Sequence, residues 1–247
     1  MAKKISKKGK DLQYDVICGV HSIIEMLKAK RRKLHSIYTT KPLPKAWDRI
    51  KSYLPKSIPN IQYVSKEKLD YMAGTQDHMG IVALVSQFQY QSKMFDPVKK
   101  PFILFLDSIQ DVRNLGAILR SAYCTGVTGI VLTKKNSAPL NAAAIVSSAG
   151  LAEHLDIIVA PTAQMAVSEL KSAGYNLYMA ALENGKDATK IDYKKPLCLV
   201  IGNEAIGISK NILKEGQIVT LPQRQPDISY NASVASGILL FLISQKI

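Results

Sequence analysis

The sequence predicts an α/β protein in two parts, a small N-terminal α/β domain followed by a larger α/β domain built on a parallel sheet. Three observations predict it. Short apolar runs alternate with helix-period stretches along the whole chain, the pattern of β-α units rather than of a bundle or sandwich. The stretch QYQSKMFDPVKKP, starting at Gln89, is polar, has two prolines and shows no period, so residues 89–100 read as a linker. Charge is split between the halves: residues 1–100 hold 20 Lys+Arg against 8 Asp+Glu, whereas residues 101–247 hold 13 against 11.

In the first part, residues 15–20 are a short strand candidate. Residues 22–30 form an amphipathic helix with Ile23, Ile24, Met26 and Leu27 inward. Residues 34–39 are strand-like, 45–53 helical, 61–64 a strand, 66–71 a short helix and 80–88 a strong strand. In the second part, residues 102–106 are a continuous apolar strand suited to the middle of a parallel sheet. Residues 114–125 are a helix, 129–133 a strand, 138–149 a helix of small residues, 155–159 a strand, 162–171 a helix and 176–182 a strand. The runs 197–201 and 218–221 end at turn chemistry, Gly202-Asn203 and Pro222. A loop rich in Pro, Gln, Asp and Ser follows, then a last helix with Ser229 or Asn231 as N-cap. Polar groups thus gather where two strands end and a helix begins, which is where open α/β sheets bind ligands. The expected domains are a basic tail at 1–12, a first domain at 13–88, the linker, and a second domain at 101–247.

The chain has 247 residues, 47% of them hydrophobic, so a full core can be buried and disorder is not expected. Its apolar runs are too short to span a membrane. The basic start MAKKISKKGK has no apolar segment after it, which argues against a secretory signal. Cys18, Cys124 and Cys198 lie far apart in apolar settings and are expected to be reduced core residues of a cytoplasmic protein. The four histidines lack metal-ligand spacing, so no metal is expected. The net charge is +14, concentrated in the first half, which suggests a polyanion-binding arm on a near-neutral body. Lys30, Arg31, Arg32 and Lys33, with the tail from Lys3 to Lys10, are the candidate contacts. A lysine-rich solvated surface is the plainer reading of the same charge.

No G-x-G-x-x-G turn follows the strand at 102–106, and neither Walker glycines nor G-x-S-x-G occurs. Phosphate-cradling and serine-hydrolase classes are therefore disfavoured. What remains is LDSIQDVRNLGAILRSAYCTGV, residues 106–127. Asp107 and Asp111 flank the strand end, Asn114 and Gly116 open the helix, and Arg120 is expected near the ligand end of the sheet. An arginine there suits phosphate through bidentate bonds; a surface pair with Asp111 is the alternative.

Three segments in order resemble the three motifs of the SpoU (TrmH) family of RNA ribose 2′-O-methyltransferases, of the SPOUT class. They are Asn-x-Gly-Ala-Ile-x-Arg at 114–120, Gly-Asn-Glu-x-x-Gly at 202–207 and Ser-x-Asn-x-Ser-Val-Ala at 229–235. Ser148-Ala149-Gly150 with Glu153-His154 is similar to a further segment of that family. Cys18–Ile23 with Glu25, and His78–Ala83, resemble the opening and closing of the substrate-binding domain found in 23S rRNA guanosine 2′-O-methyltransferases.

The resemblance implies a C-terminal trefoil knot, against the usual unknotted topology. It also implies S-adenosylmethionine held in the knot and a homodimer whose site draws on both chains. Gly202, Leu221 and Tyr230 match the positions of the family's cofactor contacts, with Ala181 and Leu182 at an adjacent strand end. Tyr230 stands where the family often has Leu, and Val112 where Pro is common. Arg120 is implied as the residue that positions the target phosphate and hydroxyl, and Glu204 as its orienting partner or an indirect proton acceptor. Asn114, Ser229 and Asn231 would fix the ribose and the knot loops; the alternative is that Asn114 and Asn231 are only helix caps and Glu204 only a loop tie. The expected substrate is a guanosine of 23S rRNA, since tRNA enzymes of the family usually lack the first domain. A tRNA enzyme, a resistance-type rRNA enzyme and a non-catalytic RNA-binding assembly factor are the alternatives.

Overall fold

The computed structural model describes residues 14–57, 60–224 and 229–247; the basic tail at 1–12 lies outside the described residues. The first part runs β1 (Tyr14–Cys18), α1 (Val20–Ala29), β2 (Leu34–Thr39), α2 (Trp47–Lys51), β3 (Ile61–Tyr63), α3 (Lys66–Ala73) and β4 (Ile81–Ser86). The second runs β5 (Phe102–Leu106), α4 (Val112–Cys124), β6 (Gly129–Thr133), α5 (Ala142–Ser147), β7 (Ile157–Ala160), α6 (Ala163–Ser172), β8 (Asn176–Ala180), β9 (Lys186–Asp187), β10 (Leu197–Ile201), β11 (Gln217–Thr220) and α7 (Ala232–Ser244).

The first sheet has the order β1-β4-β2-β3, with β4 antiparallel to both neighbours and β2 parallel to β3. Its strands alternate sides as their sequence does. Ile81, Ala83 and Val85 face the layer of α1 and α2, whereas Val82 joins Leu69 and Ala73 of α3. The second sheet is wholly parallel, in the order β7-β6-β5-β10-β8-β11-β9. Its central strands are buried on both faces, so they read as unbroken apolar runs. Phe102, Leu104 and Leu106 meet α4, α5 and α7, while Ile103 and Phe105 meet α6.

Each expected strand and helix is present with its expected type, and the differences are local. Helix α4 begins two residues before Asn114 because the Asp111 carboxylate caps it, accepting from the backbone N–H of Arg113 (2.6 Å) and Asn114 (3.2 Å). Helix α5 is only six residues long, starting after Asn141, whose side chain accepts from Ala144 N–H. The edge strand β9 is too short to leave an apolar signature. Cys124 is exposed at the end of α4, not buried like Cys18 and Cys198, because it lies off the face that buries Leu115, Ile118, Leu119 and Ala122.

The expected linker is tied down. Gln91 pairs with β7, its N–H donating to Ile157 C=O at 2.8 Å. The Phe95 ring lies so close to Gly129 that a Cβ there would come within 2.7 Å of it. One apolar cluster includes Ile17, Ile23 and Ile37 of the first sheet layer together with Leu104, Leu119 and Ile145 of the second. The two parts therefore share core, not only a tether.

Ionic bonds close the junction. Arg32 donates to Ser86 C=O (2.7 Å), Glu153 Oε1 (2.9 Å) and Asp15 Oδ2 (2.6 Å), and its side chain is 3% exposed. It is therefore not available to RNA as the sequence suggested: its guanidinium is needed to neutralise the fully buried Glu153. Arg31 bonds Asp156 at 2.8 Å and Leu155 C=O at 3.0 Å, and Lys100 shares the same carboxylate. Burial pushes the Asp156 carboxyl up, but Lys100 and Arg31 outweigh it and hold it below its usual range. Lys30 and Lys33 remain exposed.

Candidate functional site

The parallel strands β8, β10 and β11 deliver three loops to one end of the second sheet. They surround a cavity of about 500 Å³, within the usual range for small-molecule sites. Gly202, Leu221, Tyr230, Ala181 and Leu182, the five residues singled out for a cofactor, all line it, and so do Glu204 and Ser229. Its floor is apolar, with Ile201, Val219 and Leu239. Among its described lining residues there is no Lys or Arg, while Glu183 and Glu204 are carboxylates.

The wall from Gly202 to Ser209 is shaped by Asn203 and Asp107, which the sequence placed at strand ends without a role. The Asn203 carboxamide accepts from Ala205 N–H (2.9 Å) and Ile206 N–H (3.2 Å) and donates to Ser108 C=O (2.8 Å). The backbones of Asn203 and Gly207 exchange two bonds, at 3.0 and 2.9 Å, closing a tight turn. Asp107, 1% exposed, accepts from Ser209 N–H at 2.8 Å and from the Ser108 hydroxyl at 3.1 Å. These bonds fasten the turn to the end of β5. A Cβ on Gly202 would lie 2.1 Å from both Gly207 C and Ile208 N, so only glycine allows the two backbones to touch. The polar residue directly after each apolar strand was the available signal, but nothing in the pattern shows which partner it meets.

The loop residues expected to act together are only partly assembled. Glu204 accepts from the Asn114 side chain at 3.1 Å and from Gln110 N–H at 3.4 Å, which draws the start of α4 to the cavity rim. Asn114 is therefore not the cap of α4; Asp111 has that role. Asn231, not Ser229, caps α7, accepting from Ser233 N–H at 2.9 Å. Arg120 is exposed on the third turn of α4 and makes no hydrogen bond or ion pair with any other described residue. Within one chain it meets neither Glu204 nor Asp111, because it stands about 9 Å further along the helix than Asn114 and on another side.

Asn203→Ala should remove three bonds from the turn and leave Ser108 C=O and two N–H groups unpaired. A loss of about 1–3 kcal/mol is expected, read by chemical denaturation. An unchanged midpoint would show that the turn holds its shape without the carboxamide.

Among the described residues, no group of three or more His, Cys, Asp or Glu is placed to hold a metal ion. No described helix is long and apolar enough to cross a membrane.

Residues 101–241 match the family described as SpoU rRNA Methylase, and residues 16–91 match RNA 2′-O ribose methyltransferase substrate binding. The putative TrmH family tRNA/rRNA methyltransferase YacO of Bacillus subtilis is 31% identical over 95% of this chain and 96% of its own. Among solved structures, the AdoMet-bound rRNA methyltransferase of Sinorhizobium meliloti superposes with a TM-score of 0.79. It is 20% identical and covers 95% of this chain and 88% of its own. The SpoU methyltransferase AviRb of Streptomyces viridochromogenes, in complex with AdoMet, gives 0.78 at 21% identity, over 94% of this chain and 90% of its own.

Proposed function

Because the chain belongs to the SpoU rRNA methylase family, we propose that it transfers a methyl group from S-adenosylmethionine to a ribose 2′-hydroxyl of RNA, with a guanosine of 23S rRNA as the preferred substrate. The observation that carries this reading is the cavity, where five residues from three separate strand ends meet.

The cavity suits that cofactor. S-adenosylmethionine carries no phosphate and is net cationic, its sulfonium and ammonium outweighing one carboxylate. A lining with two carboxylates and no described Lys or Arg fits such a charge pattern. The absence of a glycine-rich phosphate cradle is consistent with it. Gly202, Leu221 and Tyr230 would hold the cofactor, with Ala181 and Leu182 at the end of β8, the strand between β10 and β11. When bound, it supplies a methyl group made electrophilic by the adjacent sulfonium.

The reaction forms a bond from the ribose oxygen to the methyl carbon as the bond from sulfur breaks, and the hydroxyl loses its proton. The protein's task is alignment and a proton path. Arg120 holds the target phosphate and hydroxyl in this reading. It does not act as the literal base, since a guanidinium stays protonated. Glu204 holds Asn114 at the rim, and is a lining carboxylate that would receive a proton through solvent. Asn231 and Ser229 set the approach of α7 to the cavity.

A homodimer completes the reading. Arg120 is free of described partners, and Tyr123 of α4 and Val234 and Phe241 of α7 are 42%, 49% and 57% exposed. A second copy packed on these helices would cover them and could bring its Arg120 to this cavity. The trefoil threading belongs to the same reading. What supports it is strand order: β10 lies between β5 and β8, and β11 between β8 and β9. The separate first domain favours rRNA over tRNA, and the cytoplasm is the compartment we assign.

Arg120→Ala should lower methyl transfer to RNA by about 100-fold or more while S-adenosylmethionine binding is kept. Tritiated methyl incorporation and calorimetry measure the two separately. Full activity in this variant would remove Arg120 from the mechanism. Mapping ribose methylation in rRNA with and without the protein tests the substrate.

A further inference from the structure

Much of the positive charge near residues 28–33 is engaged at the junction: Lys28 with Glu25, Arg31 with Asp156, Arg32 with Glu153 and Asp15. Unengaged charge collects elsewhere. Strands β1, β2 and β3 run in one direction, so the loops that follow them and the loop before β4 share one end of the first sheet. Three bonds and contacts knit those loops together. Val64 N–H donates to Thr39 C=O at 2.9 Å, and the Thr39 hydroxyl to Gly80 C=O at 2.9 Å. The Pro44 ring lies 3.0 Å from where a Cβ on Gly80 would stand.

This end exposes three apolar side chains, Leu43 (44%), Tyr63 (48%) and Met79 (51%). Lys41 places its ammonium 4.3 Å from the centre of the Tyr63 ring. Lys41, Lys45 and Arg49 form no ion pair with any described residue; Arg49 reaches only His21, at 3.1 Å. Over residues 40–49, 63–68 and 74–80, five cations (those three with Lys66 and Lys68) stand against Asp48, Glu67 and Asp77. An exposed aromatic ring beside unpaired cations is the combination that takes a stacked base and its phosphate.

The same end adjoins the catalytic half. Gly150 is packed so tightly on the start of α1 that a Cβ there would stand 2.7 Å from Ser22 Cα. Helix α5, whose Ala142 and Val146 pack beside α3, donates from Ser147 to Arg113 C=O at 2.8 Å. Arg113 precedes Asn114, which holds Glu204 at the cavity rim. A strand of substrate could pass from one to the other without leaving the surface.

We propose that this end of the first sheet, centred on Tyr63 with Lys41, Lys45 and Arg49, is the docking surface for a single-stranded segment of the RNA substrate. An unpaired base stacks on Tyr63, and the three cations take the flanking phosphates. A duplex offers no free base face, so it binds here more weakly. The proposal rests on the RNA methyltransferase reading above.

The test uses the full chain and a labelled single-stranded RNA 12-mer, with a duplex of the same length as comparison, read by fluorescence anisotropy. S-adenosylmethionine affinity is measured by calorimetry on each variant. Tyr63→Ala should weaken single-strand binding about tenfold, Tyr63→Phe should keep it, and Lys41→Ala should flatten the salt dependence. Cofactor affinity should not move, which shows that the variants are folded. Single-strand affinity equal to wild type in both Tyr63→Ala and Lys41→Ala overturns the proposal and leaves the methyltransferase reading intact. Unchanged affinity for naked RNA with lost binding to ribosomal particles would assign the patch to a protein partner, and also overturns it. If the wild-type protein binds neither RNA, the RNA reading itself fails.

Discussion

Replacing Gly202 with alanine is expected to abolish S-adenosylmethionine binding within the range calorimetry reads. The added Cβ would stand 2.1 Å from Gly207 C and Ile208 N, and 2.4 Å from Gly207 O. All three are backbone atoms, so no side-chain rotation relieves the clash. The turn must open, yet it is held by the Asn203 carboxamide and by Asp107 from below. The strain therefore either moves the wall into the cavity or breaks those bonds. A stability loss of about 1–3 kcal/mol should accompany the change, as for other overpacked sites. Gly207→Ala is the informative comparison: a Cβ there meets nothing within 4 Å, but its φ of 71° makes the substitution strained. It should cost stability with a smaller loss of ligand. Retention of wild-type cofactor affinity by Gly202→Ala would place the cofactor somewhere other than this wall.

Arg32→Ala is expected to destabilise the protein by about 3–5 kcal/mol, the range for removing one member of a buried ion pair. Glu153 has no exposed side-chain surface, and its Oε2 has no hydrogen-bond partner among the described residues. Burial pushes the Glu153 carboxyl above its ordinary value of 4.5, and Arg32 only partly offsets this. Without the guanidinium, the carboxyl must be protonated in the folded state. The sign follows: a carboxyl whose folded value is raised loses stability as pH climbs from 4.5 through the higher folded value. The deficit of the variant should accordingly be smaller at acid pH than at neutral pH. Urea denaturation across that range measures it, and Arg32→Met combined with Glu153→Gln should recover most of the loss. A deficit that does not vary with pH would mean that Glu153 is hydrated once Arg32 is gone.

Element type was legible because burial on both faces leaves its mark on composition. The strand at 102–106 is apolar at every position and that at 129–133 at its three central ones, and their bounds match the structure. Helix starts were less legible, since a capping side chain is set by its bonds rather than by its type: Asp111 caps α4, and Asn231 was one of two candidates for α7. The cavity lining was readable through short motifs, because the turns that approach a ligand need particular residues. The partners of those residues were not. Nothing in the spacing of Asp107 and Ser209, or of Asn203 and Ser108, joins them across about a hundred residues of chain. The basic run at 30–33 was misread at Arg32 for the same reason. Its counter-charges, Asp15 and Glu153, lie 17 and 121 residues away.

By itself the sequence determined the alternation of strands and helices, the division of charge, and the three motifs that mark the family. These are local properties, set by periodicity and by the residue types a turn will accept. Only the tertiary structure decided which cations stay free, that the expected linker is anchored, and that Arg120 stands apart from Glu204 within a single chain. Burial and charge pairing depend on what lies opposite a side chain, and for these residues the opposing group comes from a distant part of the chain.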